Sequence, residues 1–110
     1  MRQKFCLGDI EIEAEIADNF WRRFLGLMGR KELLPRHGLL ITSCNSVHMC
    51  FMRFPIDVVY LDKDYKVLKV VRSLPPWTGL SFCRGAYAAL ELPANTALNT
   101  ENGSVLRRIS

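Results

Sequence analysis

The run Val47-His48-Met49-Cys50-Phe51-Met52-Arg53-Phe54-Pro55-Ile56-Asp57-Val58-Val59-Tyr60-Leu61-Asp62 constrains the fold more than any other stretch. It is the most apolar long run in the chain, yet it carries a histidine, an arginine, a proline and an aspartate at its middle. Proline has no N–H to donate, so Arg53-Phe54-Pro55 must break a ladder. The pattern predicts two successive strands, Val47 to Met52 and Ile56 to Leu61. Such a pair could be built from apolar residues alone, so the four polar or ring-constrained residues answer a further requirement.

The rest of the chain reads as strands around this centre. Lys4 to Leu7, the Gly8-Asp9 turn and a strand over Ile10 to Ile16 make an N-terminal hairpin. In that second strand Ile10, Ile12, Ala14 and Ile16 alternate with Glu11, Glu13 and Glu15, one face buried and one wet. Asp18 or Asn19 can cap a short amphipathic helix. Its apolar stripe is Phe20, Trp21, Phe24, Leu25, Leu27 and Met28, and Gly29 is placed to end it. Leu39 to Thr42 reads as a buried strand, and Asp62 to Tyr65 as a hairpin loop before a strand over Lys66 to Leu74. Pro75 to Gly85 reads as a long surface loop of the kind that often carries function. Ala86 to Leu92 and Val105 to Ile109 are the last strands. Asn95-Thr96 can cap a helical turn between them. The predicted fold is mainly β: a small rolled or barrel-like sheet of about seven or eight strands, with one short amphipathic helix packed on it.

At 110 residues the chain is one domain, residues 1–110. Its 49% hydrophobic and 24% charged residues are those of a globular chain with a real core. No apolar run approaches the roughly 18 residues of a membrane helix. Met1-Arg2-Gln3-Lys4 is basic, but Gly8, Asp9 and Glu11 follow too soon for a signal-peptide core, so the expected location is the cytoplasm. Cys6, Cys44, Cys50 and Cys83 form no CxxC pair and are read as free thiols. A net charge of +4 admits an anionic partner without requiring one. The aromatic stripe points away from Arg22, Arg23 and Arg30 on the helical wheel, which argues against interleaved stacking of nucleic-acid bases.

Taken in order, Leu25-Gly26-Leu27-Met28-Gly29-Arg30, Gly38-Leu39-Leu40, His48-Met49, Phe51 to Asp62 and Glu91-Leu92-Pro93-Ala94 resemble the domain of unknown function 192 (DUF192) family, over about residues 20–108. The resemblance implies a compact, mostly β domain with a short helix near its start, and no established activity. Two departures stand out. Asn95 replaces a frequent glycine after Leu-Pro-Ala and also tolerates a left-handed backbone. Tyr65 replaces the glycine of a frequent Asp-Gly hairpin, so that turn is expected to differ.

Two chemistries can be drawn from the central motif. His48 and Asp57, on successive strands, could face one another as a general base and its orienting carboxylate, with Arg53 at the bend. The structural alternative has Asp57 accepting backbone N–H bonds around Pro55, or pairing with Arg53. A soft-metal set from Cys44, His48, Cys50 and Met52 fits no common spacing, so no metal or cofactor is expected. Glu91, alone between Leu90 and Leu92, needs a donor if it faces inward, and Arg53 and Arg84 are candidates. The leading functional expectation is a non-enzymatic binding module for a small-molecule or anionic ligand. Its cleft would be lined by His48, Arg53, Asp57, Trp77, Arg84 and Glu91. The alternatives are a small hydrolase or lyase using His48 and Asp57, and a protein-interaction domain using the basic helix face at Arg22, Arg23 and Arg30.

Overall fold

The computed structural model describes residues 2–17, 33–49 and 52–109. The expected helix and its basic face fall on residues 18–32, outside the described residues, as do Cys50, Phe51 and the side chain of His48. Among the described residues there are nine strands and no helix. They are β1 Arg2–Leu7, β2 Ile10–Ala17, β3 His37–Thr42, β4 Ser46–His48, β5 Ile56–Leu61, β6 Val67–Leu74, β7 Leu80–Phe82, β8 Ala88–Pro93 and β9 Leu106–Arg108. The mainly β expectation holds.

Seven strands form one sheet in the order β6-β5-β8-β3-β2-β1-β9, antiparallel except where β3 runs parallel to β2. The two sheet edges meet at one end. Lys66, just before β6, bridges Val105, just before β9, and the Val67 and Leu106 amides donate to Ser104 and Tyr65 carbonyls at 2.7 and 2.8 Å. The sheet is therefore curled. Its inner face gathers Phe5, Leu7, Ile12, Leu40, Val59, Leu61, Val67, Leu90, Leu92 and Leu106 into a core to which all seven strands contribute. Its outer face carries a second cluster, with Leu39, Ile41, Ile56, Val58, Tyr60 and Ala89 covered by Val47, Met49, Met52 and Cys83. The central strands β5 and β8 are thus covered on both sides, and all six residues of β5 are buried. Burial on both faces explains why they read as continuous apolar runs with no alternation. No helix among the described residues is long and apolar enough to cross a membrane.

Local chemistry sets the turns. The Asp62–Tyr65 hairpin keeps a left-handed residue where glycine is frequent, because Tyr65 itself takes φ 61°. The Asp62 carboxylate accepts the Asp64 and Lys66 amides at 2.8 and 2.9 Å and holds the turn. Asn95 takes φ 73°, as its side chain allows. Residues 94–99 form turns, not a helix.

Two expectations about the central motif need correction. β4 is short, ending at His48, and it does not pair with β5. It pairs with β7, in a separate two-stranded flap over the outer cluster. β7 lies inside the segment that reads as loop because of Pro75-Pro76 and Gly79. Adjacent strands usually pair, but β5 has both edges taken by β6 and β8, so β4 finds its ladder elsewhere.

Candidate functional site

Asp57 is fully buried in β5. Its neighbours Ile56 and Val58 belong to the outer cluster, so its carboxylate faces the inner side. Between β5 and β6 the register shifts: Ile56 pairs with Leu74 but Val58 with Val71. The bulge takes Ser73 to φ 53° and out of the regular ladder. The Ser73 amide donates to Asp57 Oδ1 at 2.8 Å, and the Ala97 amide donates to Asp57 Oδ2 at 2.8 Å. Arg72 closes the same turn from the other sign of charge, its guanidinium donating to the Ala97 and Thr100 carbonyls at 3.1 and 2.7 Å. Asp57 is therefore an acceptor for main-chain amides. Its donors come from β6 and the 94–99 turns, not from the Pro55 bend.

Glu91 is also buried, at 5% exposure. It pairs across β8 and β5 with Val58, and it follows Leu90 of the inner cluster, so it faces the outer side. Asp57 and Glu91 thus lie on opposite faces of one sheet. His48 belongs to the flap on the outer face, whereas the Asp57 carboxylate lies inside with both oxygens engaged.

The outer face has its own polar contact. The Tyr60 hydroxyl donates to Ser81 Oγ at 3.0 Å and ties the flap to β5. Burial pushes the Tyr60 hydroxyl up to about 12, and the nearby Cys44, Cys83 and Glu91 add to the shift. The loop at the flap's other end is fixed by backbone. The Trp77 amide donates to the Met49 carbonyl at 2.7 Å, and the Met49 amide to the Gly79 carbonyl at 3.0 Å. At Gly79 a Cβ would meet the Pro75 carbonyl oxygen, as well as Met49 Cγ at 2.8 Å and Leu74 Cγ at 2.9 Å, so only glycine fits.

The flap's outward side is apolar. Trp77, Leu80 and Phe82 are 57%, 75% and 54% exposed, three large apolar side chains within one short segment. Arg84 follows them, also exposed, and Lys69 Nζ donates to the Phe82 carbonyl at 2.9 Å. Arg53 is exposed one residue beyond Met52, whose amide bonds the same Met49 carbonyl that holds Trp77. Residues 65–90 contain no Asp or Glu, against Lys66, Lys69, Arg72 and Arg84. Of the expected site residues, Arg53, Trp77 and Arg84 border this flap and its loop. Asp57 does not.

A cleft away from the flap was not foreseen in the sequence. Arg2, Glu13, Glu15, Leu33, Leu34, His37 and Gly38 line a space of about 200 Å³. His37 Nε2 lies 2.9 Å from Glu13 Oε2, and its Nδ1 lies 3.0 Å from the Pro35 carbonyl. Glu13 reads as one of three solvated glutamates. Only the parallel pairing of β2 with β3, which sets Glu13 opposite His37, brings the two together. No local pattern encodes that pairing.

Cys6, Cys44 and Cys83 form no disulfide, and among the described residues no three His, Cys, Asp or Glu side chains are grouped to hold a metal.

Known proteins bear the fold out. A protein from Sinorhizobium meliloti, described as a proposed transcription regulator, superposes with TM-score 0.86 at 22% identity, over 97% of this chain and 92% of that one. A protein of unknown function from Novosphingobium aromaticivorans gives TM-score 0.85 at 19% identity, over 97% and 84%. At these identities the likeness is one of fold. In sequence, a UPF0127 protein of Pyrococcus furiosus is 45% identical over 63% of this chain and 61% of its own length. A UPF0127 protein of Thermococcus sibiricus is 35% identical over 81% of this chain and 61% of its own length. The chain thus spans about three fifths of these relatives. The model of the DUF192 family, described as "Uncharacterized ACR", matches residues 4–107, and the chain belongs to that family.

Proposed function

We propose that the protein is a non-enzymatic binding module that recognises an anionic, partly apolar partner through the β4–β7 flap. The observation that carries this reading is the exposure of Trp77, Leu80 and Phe82 together on a segment anchored over the fully buried strand β5. Exposed apolar clusters of this kind mark interaction surfaces, whereas single exposed leucines do not. Arg53 and Arg84 supply the charge at its margins, and His48 enters through its strand, in register with Leu80. In this reading Asp57 and Glu91 brace the sheet from its two faces and touch no ligand.

Amide chemical-shift mapping with a library of small carboxylates, phosphates and indole-like fragments tests it. Shifts gathered on residues 46–49, 52–54 and 77–84 are expected. Binding that maps instead to the Glu13–His37 cleft, or no shift at millimolar fragment, would overturn it.

A further inference from the structure

The flap offers more than a greasy surface. Along β7 the main-chain bonds to β4 run through alternate residues: Met49 N–H to the Gly79 carbonyl, Val47 opposite Ser81, and Cys83 N–H to the Asn45 carbonyl. In an antiparallel pair the residues between these turn their N–H and C=O groups away from the partner strand. Those residues are Leu80 and Phe82, whose side chains are also the exposed ones. β4 and β7 form a sheet of two strands, so no third strand is hydrogen-bonded to this edge among the described residues, although β6 approaches it through Lys69. Among the described residues the Lys69 ammonium meets the Phe82 carbonyl at 2.9 Å.

We propose, building on the binding reading above, that the partner is an extended acidic peptide that adds as a third strand along the outer edge of β7. An open strand edge offers affinity through main-chain bonds and specificity through alternate side chains. Leu80 and Phe82 are spaced two apart on β7, and Arg84 lies in the turn that follows it, so the edge presents two apolar positions with a cation beyond its end. The complementary peptide alternates apolar residues with small polar ones and carries its carboxylates at the Arg84 end, where Lys69 adds a second cation. The free edge decides between a peptide and an anionic lipid surface, because a bilayer cannot use the Leu80 and Phe82 amides.

The test uses the full chain and four probes. One is a short peptide in which valine alternates with threonine and one end carries glutamates. The second has lysines in place of the glutamates. The third is the acidic peptide N-methylated on alternate amides, and the fourth is a vesicle of phosphatidylglycerol. The acidic peptide is expected to bind, with slowed hydrogen exchange at the Leu80 and Phe82 amides. Affinity should fall at least tenfold with the lysine peptide and with the N-methylated one. Arg84→Glu, an exposed change that leaves the core intact, should reverse the charge preference. Equal binding of the N-methylated peptide would overturn strand addition while leaving the flap as a binding surface. Binding to vesicles alone would overturn the peptide in favour of a membrane. Fragment shifts on the flap without binding of either unmodified peptide would overturn the inference and spare the reading beneath it.

Discussion

The two clusters on either side of the central sheet are held in different ways. On the inner side a single fully buried carboxylate, Asp57, fixes a bulge in β6 and the 94–99 turns through two main-chain amides. On the outer side the flap is tied down by the Tyr60 bond to Ser81 and the Lys69 bond to the Phe82 carbonyl, and by a loop that only glycine can complete. Its outward apolar groups contact solvent. The inner side spends polar chemistry on stability, and the outer side leaves apolar chemistry unspent. That difference is why we propose the flap as the binding surface and Asp57 as the brace.

The largest effect should come from breaking the inner side. Asp57→Ala strands the buried Ala97 amide and removes the acceptor of the half-buried Ser73 amide, and is expected to cost about 3 kcal/mol, a large part of a small domain's stability. Asp57→Asn keeps one acceptor oxygen and should lose about half as much. Urea melts decide it, and an unchanged midpoint for the alanine variant would end the brace interpretation. Next is Gly79→Ala, which drives a methyl into the Pro75 carbonyl and should cost about 2 kcal/mol. Hydrogen exchange should show that loss in residues 77–82 while β5 and β8 amides stay protected. Uniform loss across both regions would mean that flap and sheet open as one unit.

Tyr60→Phe sharpens the comparison at its narrowest contact and should cost about 1 kcal/mol. The hydroxyl also predicts an alkaline signature. Its folded value is raised from 10.0 to about 12, so the folded state holds the proton after the unfolded chain has lost it. Stability conferred by this group is complete below pH 10 and is lost as pH rises to about 12. Stability curves of wild type and Tyr60→Phe should therefore converge over that window, as read by denaturant melts at stepped pH. The smallest effects belong to Leu80→Ser and Phe82→Ser, each within about 0.5 kcal/mol of wild type. A loss comparable to that of a core leucine would show that these side chains are packed and not offered to a partner.

Local patterns in the chain were enough to read the hairpin of β1 and β2, the buried strand β3, the strands on either side of Asp62–Tyr65, and the apolar β5 and β8. Each is specified by residues within a few positions of one another. Asp57 was legible as an acceptor because a carboxylate between Ile56 and Val58 has few other reasons to be there. Its donors were not legible: Ala97 is far along the chain, and Ser73 is freed only by a bulge that appears once β5 and β6 pair. The partner of β4 was hidden for a similar reason. Proximity in sequence favours β5, and what excludes it is the occupancy of both β5 edges, a property of the finished sheet. Glu13 and His37 meet through a parallel pairing that no neighbouring residue announces.

The burial of β5 on both faces has a consequence for how the sheet knows its own alignment. A strand reading Ile-Asp-Val-Val-Tyr-Leu between two apolar layers would satisfy either layer nearly as well after slipping by one residue, because alternation carries no information when both sides are dry. Asp57 removes that degeneracy. In one alignment its carboxylate accepts the Ser73 and Ala97 amides. After a slip of one it would stand as a bare charge in the outer apolar layer, a position the fold cannot tolerate. The charge thus works as an address: it tells the central strand which way up to lie, and so decides which face of the sheet the flap will cover.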